Sequence, residues 1–166
     1  MDRITPGDVD AFKQAFRRLS AGVSAVTALD PDGSPVGFTA TSLASLSAAP
    51  PLATFNMARK ASAYRAVHEG THVLVHILGA RNRDVAIQLA GDRDQRFVGD
   101  HWEPGPGGLP LLKNVPAWMY GRIVERVAVV ESALVVVEIE DGGLGEPDEA
   151  LIYHERDWYS TGDPLA

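Results

Sequence analysis

The sequence contains no cysteine, and this absence excludes several kinds of site. A chain without thiols forms no disulfide, no thiolate zinc site and no cysteine nucleophile. Long apolar runs are missing as well, whereas a membrane-spanning helix needs about 20 consecutive apolar residues. Because the N-terminal stretch MDRITPGDVDAF is polar and helix-like, we expect a cytoplasmic protein with no membrane partner.

Positive charge is scarce. Lysine and arginine together number 15, against 22 aspartate and glutamate residues, and the net charge is −7. Since nucleic acid phosphates are bound by basic surfaces, this balance argues against a nucleic-acid partner. The chain has 166 residues, of which 45% are apolar, and we expect one domain over residues 1–166.

Common nucleotide-binding and metal-binding motifs are also lacking. The glycine cluster Gly105-Pro106-Gly107-Gly108 follows no clear strand and leads into no helix, so it is not a dinucleotide fingerprint. His68, His72 and His76 are four residues apart, but Gly70 would break a helix through them. On a strand, His72 and His76 would lie roughly 13 Å apart. We therefore expect no metal site, because metal ligands must converge around one ion.

Helical periodicity is found in three short segments. The first follows a start signal at Thr5-Pro6-Gly7-Asp8 and has apolar residues at helical spacing from Val9 to Leu19. The other two cover residues 62–69 and residues 82–90, and Gly91 is the expected end of the last one.

Most of the remaining pattern is that of strands. Residues 23–29 and 35–43 are predicted to form a hairpin about the turn Asp30-Pro31-Asp32-Gly33. Further strands are predicted at residues 51–57, 71–78, 117–130, 132–142 and 150–154. The segment 71–78 alternates, with Val73, Val75 and Ile77 on one face, and residues 102–116 are predicted to form a long irregular loop. Many strands with turn signals and only short helices indicate a mainly β protein with an antiparallel barrel.

One stretch has an unusual composition. Residues 37–52, GFTATSLASLSAAPPL, consist mainly of small and hydroxyl residues and carry no charge. The run resembles a motif of the flavin reductase-like family: a glycine, a threonine two residues on, two adjacent hydroxyl residues, Ser-x-Ser and a Pro-Pro pair. The matching positions are Gly37, Thr39, Thr41, Ser42, Ser45, Ser47, Pro50 and Pro51.

The resemblance extends over residues 12–159. It includes the segments FRRLSAGVSAVTALDPDG, RKAS (residues 59–62), VLVHIL, LAGDRDQRF and LIYH. It implies an FMN-binding split β-barrel, which is a Greek-key antiparallel barrel with a few short helices. It also implies a homodimer that binds FMN, with FAD as the alternative flavin, and takes NAD(P)H as co-substrate. The reduced flavin would serve a partner monooxygenase.

The resemblance also implies a set of flavin-binding residues. Extended backbone with small side chains lets the flavin ring approach its N–H and C=O groups, and hydroxyls add hydrogen bonds in either direction. Asn56 would bond the ribityl chain or the ring edge, although asparagine equally often marks a turn. The expected cofactor-binding residues are Thr39, Ala40, Thr41, Ser42, Ser45, Ser47, Asn56, Arg59, Lys60, Ala61, Ser62 and Tyr64.

The phosphate end of the flavin would meet the segment at residues 59–62. Arg59 and Lys60 provide local positive charge in an acidic protein. Ser62 is expected to cap the helix that follows, so that free backbone N–H groups and the positive end of the helix dipole face the phosphate. Family members have a second hydroxyl residue after this serine, where the chain has Ala63, so that one phosphate contact would be lost or would be replaced by Tyr64.

The chain departs from the family pattern at three positions. In Val130-Glu131-Ser132, the serine stands where family members often carry the histidine of Gly-Asp-His. His76 stands where they have asparagine, and its apolar neighbours on the same strand face favour a buried, hydrogen-bonded side chain. Glu155 replaces an arginine, which does not favour the phosphates of NADH. His154 matches a histidine near the nicotinamide and is the expected catalytic residue.

The favoured function is an NAD(P)H:flavin reductase. Hydride transfer between two cofactors needs orientation and a shaped pocket rather than a side-chain acid or base. One alternative is a flavin-binding protein of the same fold without reductase activity, which the serine at position 132 would fit. The other is a relative of the pyridoxamine-phosphate oxidases, which should carry more basic phosphate ligands than Arg59 and Lys60.

Overall fold

The first helix begins three residues later than the start signal predicts. The computed structural model describes residues 7–165, so Thr5 and Pro6 lie outside the described residues. The carboxylate of Asp8 caps helix α1 (Val9–Arg17) by accepting a hydrogen bond of 2.8 Å from a backbone N–H of the first turn.

The second helix confirms the prediction for residues 82–90. Helix α2 (Arg83–Ala90) follows a 3-10 turn at Ala80–Asn82 and ends at Gly91. Two more 3-10 turns cover Arg93–Gln95 and Pro106–Gly108. Among residues 7–165, no helix is long and apolar enough to cross a membrane.

Twelve strands make up most of the rest of the described chain. They are β1 (Ala21–Gly22), β2 (Ser24–Leu29), β3 (Pro35–Ala40), β4 (Ala44–Ala48), β5 (Pro51–Ala58), β6 (His72–Ile77), β7 (Trp102–Pro104), β8 (Pro110–Leu112), β9 (Ala117–Val129), β10 (Ser132–Leu144), β11 (Leu151–His154) and β12 (Asp157–Ser160). The last hairpin partner, β12, was not predicted.

The strands form one large sheet and two small ones, and every pairing is antiparallel. Seven strands follow the order β3-β2-β6-β9-β10-β5-β4, while β1-β11-β12 and β7-β8 form the small sheets. This arrangement confirms a mainly β, antiparallel protein.

Two buried clusters form the core. The first lies against the large sheet and includes Val26, Phe55, Val75, Ile123 and Val135. The second lies between the large sheet, α2 and the three-stranded sheet, and it includes Val23, Leu78, Leu89, Leu112 and Leu151.

Strand β6 is buried on both faces. Val73, Leu74 and Val75 are all fully buried. The reason is a second layer formed by the predicted loop at residues 102–116, which contains the β7-β8 hairpin. Its backbone binds the large sheet directly, since Thr27 Oγ1 donates to Pro110 O at 2.6 Å.

His76 is the polar residue on the covered face of β6, and its predicted buried, hydrogen-bonded role is confirmed. Its side chain is fully buried. Nε2 accepts a hydrogen bond of 3.1 Å from Leu112 N, which leaves the proton on Nδ1 to be donated to Ala25 O at 3.2 Å. Burial lowers the pKa of His76 from 6.5 to about 4.

Residues 62–69 do not form the predicted helix. They are a series of turns with hydrogen bonds such as Tyr64 N to Ala61 O at 3.0 Å. The guanidinium of Arg126 donates hydrogen bonds to the carbonyl oxygens of Tyr64 and Val67, both at 2.6 Å. Because these carbonyls are bound by a side chain, a regular helix is not needed to satisfy them. Ser62 therefore caps no helix.

Candidate functional site

A bend in the hydroxyl-rich run brings distant residues together. The run at 37–52 extends from β3 through β4 to the first two residues of β5, and a bend at residues 41–43 separates β3 from β4. Thr41 and Ser42 at this bend line a cavity of about 680 Å³ together with Asn56 of β5 and His154 of β11. Four of the predicted site residues therefore share one space.

Ser42 and Asn56 are held in place by one hydrogen bond. The Asn56 backbone N–H donates to Ser42 Oγ at 2.8 Å. Because the oxygen accepts this bond, the Ser42 hydroxyl proton can be donated to a ligand. The Asn56 side chain is exposed and keeps both its amide donors and its carbonyl acceptor available. The pair therefore offers donors and an acceptor to the alternating polar edge of a flavin ring.

The other residues of the run do not line this cavity. Thr39 and Ala40 lie within β3, where Thr39 pairs with Ala25 and Ala40 is buried. Ser45 and Ser47 lie on β4 and line a neighbouring apolar cavity of about 350 Å³. The structure places these four predicted flavin ligands around the first cavity rather than in it.

His154 is fixed between the end of α1 and the turn that follows β11. Its Nε2 lies 3.2 Å from Arg18 O, and Glu155 N donates to Arg17 O at 3.0 Å. Glu155 and Arg156 form the tight turn to β12, with positive φ values of 49° and 68°. Both residues of the turn line the cavity beside His154.

The predicted phosphate segment is built differently from the sequence expectation. Arg59 does not project freely, because its Nη1 donates to Val130 O at 2.9 Å and its backbone N–H donates to Glu131 O at 2.9 Å. Ala61 N closes a turn on Ala58 O at 3.1 Å. Lys60 is exposed and forms no ion pair within residues 7–165.

Arg96 is the charged residue that sequence reasoning missed. Its Nη1 donates to Gly37 O at 2.9 Å and lies 3.5 Å from Ser62 Oγ, while Nε and Nη2 donate to Gly91 O. Partial burial lowers the pKa of Arg96. The segment LAGDRDQRF has a family counterpart, but its linear pattern does not reveal the contact with Ser62.

Glycine is required at position 37 because Phe97, the residue after Arg96, lies too close for a side chain there. A Cβ at Gly37 would lie 2.9 Å from Phe97 Cζ and 2.9 Å from Val26 O. Cβ atoms essentially never lie within 3.0 Å of another heavy atom, and a backbone oxygen such as Val26 O cannot easily move away. The glycine of the run therefore admits Phe97 rather than a ligand.

The ring of Tyr64 is engaged within the protein. Its ring is covered by the Arg126 guanidinium at 3.9 Å from the ring centroid, and it packs against the first core cluster.

The departures from the family pattern have clear positions. Ser132 opens β10, is exposed and pairs with Ala58 and Val129. The residue paired with Asn56 is Leu134, two positions further along the same strand. A serine at this site therefore leaves the strand face next to Asn56 without an imidazole.

Helix α1 forms the remaining wall of the cavity. Phe12 and Phe16 line it, with ring centroids 4.6 Å apart, and they are 56% and 58% exposed. Periodicity predicts this helix, but it does not predict that none of its residues is buried.

A larger cavity lies elsewhere and contains none of the predicted site residues. It measures about 880 Å³, and its polar lining includes Arg81, Asp100, His101, Glu103, Lys113 and Glu146. Among residues 7–165, no three histidine, aspartate or glutamate side chains are grouped so that they can hold a metal ion.

Comparisons with known proteins agree on one family. The model described as "Flavin reductase like domain" matches residues 16–162. The chain is 36% identical over 153 residues to the NADH:FMN oxidoreductase of Rhodococcus erythropolis, covering 89% of this chain and 79% of that one. It is 29% identical over 158 residues to the 4-hydroxyphenylacetate 3-monooxygenase reductase component of Pseudomonas aeruginosa, covering 93% and 92%. The crystal structure of a flavin reductase domain protein from Arthrobacter sp. FB24 superimposes with a TM-score of 0.89 at 45% identity, covering 95% and 97%.

Proposed function

The chain belongs to the flavin reductase like domain family, and on this basis we propose that it reduces FMN at the expense of NADH in the cavity between α1, β5 and β11. It is an oxidoreductase that uses flavin, with a nicotinamide nucleotide as co-substrate. When bound, FMN would supply the hydride acceptor for NADH, and a proton from solvent would complete NADH + FMN + H⁺ → NAD⁺ + FMNH₂.

The observation that carries the proposal is the convergence of Thr41, Ser42, Asn56 and His154 on one cavity. The first three come from the bend after β3 and from β5, so they form the flavin side. His154 approaches from β11 and forms the nicotinamide side. The cavity volume of about 680 Å³ lies in the range of small-molecule sites, which is about 300–1,000 Å³.

The phosphate is proposed to lie against Lys60, Ser62 and Arg96. Since residues 62–69 form no helix, a helix dipole cannot provide the positive potential there. Arg96 supplies a charge 3.5 Å from Ser62 Oγ, and Lys60 adds the charge of an exposed side chain. Arg59 is proposed to position the phosphate segment rather than to bind the phosphate, because its side chain donates a hydrogen bond to the β9–β10 turn. The remaining predicted ligands, Thr39, Ala40, Ser45, Ser47, Ala61 and Tyr64, stay proposals for the surroundings of the flavin.

The finer architecture is part of the same proposal. A split barrel is supported by the approach of β3 to β5, where the Phe38 and Phe55 rings lie 5.9 Å apart. A homodimer is supported by exposed apolar residues beside Asn56 on the sheet: Val127, Val129, Val130 and Leu134. We further propose a monooxygenase that receives the reduced flavin and a location in the cytoplasm, where NADH is available.

One observation favours a second function. Ser132 stands in place of the family histidine and Glu155 in place of an arginine, and both positions are exposed. These two replacements would fit a protein that binds FMN but does not catalyse its reduction by NAD(P)H.

Two measurements test the proposal. Titration with FMN should quench flavin fluorescence with saturation at one flavin per chain. The FMN-loaded protein should then lose its flavin absorbance when mixed anaerobically with NADH. FMN binding without bleaching by NADH or NADPH would favour the flavin-holding function, and no FMN binding would reject both.

A further inference from the structure

The apolar side of α1 faces a cavity instead of the core. Val9, Phe12, Phe16 and Leu19 are each 56–60% exposed. Phe12 and Phe16 are one helical turn apart, and both line the cavity that contains His154. Most surface helices bury such a stripe, so an aromatic pair left open toward a ligand cavity needs an occupant.

The same turns of the helix carry positive charge into the cavity. Lys13 and Arg17 follow the two phenylalanines in sequence and line the same space. With Arg156 they make three cationic side chains, against the single carboxylate of Glu155. Among the ion pairs formed within residues 7–165, none involves these three cations. In a chain with a net charge of −7, this is a local excess of positive charge.

The position of the helix relative to His154 is fixed. The carbonyl oxygens of Arg17 and Arg18 receive hydrogen bonds from Glu155 N and His154 Nε2, at 3.0 and 3.2 Å. The last turn of α1 therefore stays beside the β11–β12 turn, with Arg17 next to the proposed nicotinamide side.

We propose that α1 forms one wall of the nicotinamide dinucleotide site. Lys13 and Arg17 bind the diphosphate of NADH, and the Phe12–Phe16 pair covers its nicotinamide ring. The inference rests on the proposed reductase function. It explains how the site can hold an anionic nucleotide although Glu155 occupies the position of the family arginine, since α1 supplies the charge instead.

The chemistry of the wall favours a dinucleotide over a second copy of the chain. A helix face intended for a protein partner is expected to be depleted of charge at its centre. Here the aromatic pair and the cationic pair form adjacent rows on the helix and line the same cavity, which matches a ligand with aromatic rings joined by a diphosphate.

Steady-state kinetics at saturating FMN test the inference. The double substitution Lys13→Ala/Arg17→Ala should raise the KM for NADH by about 10- to 100-fold, since it removes charge-assisted hydrogen bonds, and change kcat by less than about twofold. FMN affinity should stay the same. Phe16→Ser should also raise the KM. The matched controls are Arg83→Ala and Ile87→Ser on α2, which remove an exposed cation and an exposed apolar side chain outside the cavity.

Salt provides a second readout. The kcat/KM of the wild type should fall with rising ionic strength, and the double variant should lose most of this dependence. A KM unchanged in both α1 variants, with normal bleaching of FMN by NADH, would overturn the inference alone. If the KM is unchanged and Phe16→Ser also converts a dimer to a monomer in sedimentation, the exposed face of α1 would be assigned to contact with a second copy of the chain. A wild type that binds FMN but does not react with NADH would overturn the proposed function itself.

Discussion

Replacing His76 by glutamine is expected to flatten the acid side of the stability profile. Burial lowers the pKa of His76 from 6.5 to about 4, so the unfolded chain takes up a proton here before the folded protein does. The contribution of this group is complete above pH 6.5 and is lost as the pH falls toward 4. The loss amounts to about 1.4 kcal/mol per pH unit, or roughly 3 kcal/mol across the window.

Two substitutions separate titration from hydrogen bonding. Glutamine has no pKa in this range and can offer an oxygen to Leu112 N, which now donates to Nε2 at 3.1 Å. The second substitution, His76→Leu, also removes the acceptor for Leu112 N. The buried N–H left without a partner should lower the free energy of unfolding by about 1–3 kcal/mol at every pH. His68→Gln is the control, since His68 is exposed.

Urea unfolding between pH 7.5 and pH 4 measures these differences. The unfolding free energy of the wild type should fall by roughly 3 kcal/mol relative to that of His76→Gln as the pH falls from 7 to 4. His68→Gln should run nearly parallel to wild type. A difference between wild type and His76→Gln that is constant over this range would refute the reasoning, because it would mean that His76 has the same pKa in both states.

Two further predictions concern the proposed site. Lys60→Ala should weaken FMN binding by about 10- to 100-fold and riboflavin binding hardly at all, because only FMN carries the phosphate. Fluorescence titration checks this with Lys113→Ala as the control, and equal weakening of both flavins would place Lys60 away from the phosphate. His154→Ala should slow flavin reduction by NADH in anaerobic stopped-flow traces while FMN affinity stays almost unchanged. If the variant reduced flavin at the normal rate and only melted at a lower temperature, His154 would serve to close β11.

The sequence predicts best where the information is local. The run at 37–52 shows its composition directly, and the hydrogen-bonded burial of His76 follows from its apolar neighbours on one strand. The contact of Arg96 with Ser62 joins residues far apart in the chain, and no periodicity encodes it.

The wrong helix at residues 62–69 has a related cause. Apolar residues at helical spacing are equally compatible with compact turns that bury Ala63, Ala66 and Val67. The choice between them depends on Arg126, which comes from another strand and binds two carbonyls of this segment. The same holds for α1, whose stripe of apolar residues predicts a helix but not what covers it.

The hydrogen bonds between Arg126 and residues 61–70 also determine how this segment can open locally. With no continuous helix, the segment depends on one guanidinium for two of its carbonyl bonds, and on Glu69, whose carboxylate accepts from Arg126 N at 2.8 Å. Cooperative units with few internal hydrogen bonds open at free energies well below that of global unfolding. The segment, which follows Lys60 and bears Ser62, is therefore expected to exchange its amide protons through local opening, while β5 and β10 beside it stay protected. Because the flavin phosphate is proposed to bind this segment, we expect FMN to slow its exchange, since a ligand that binds only the closed segment opposes its opening.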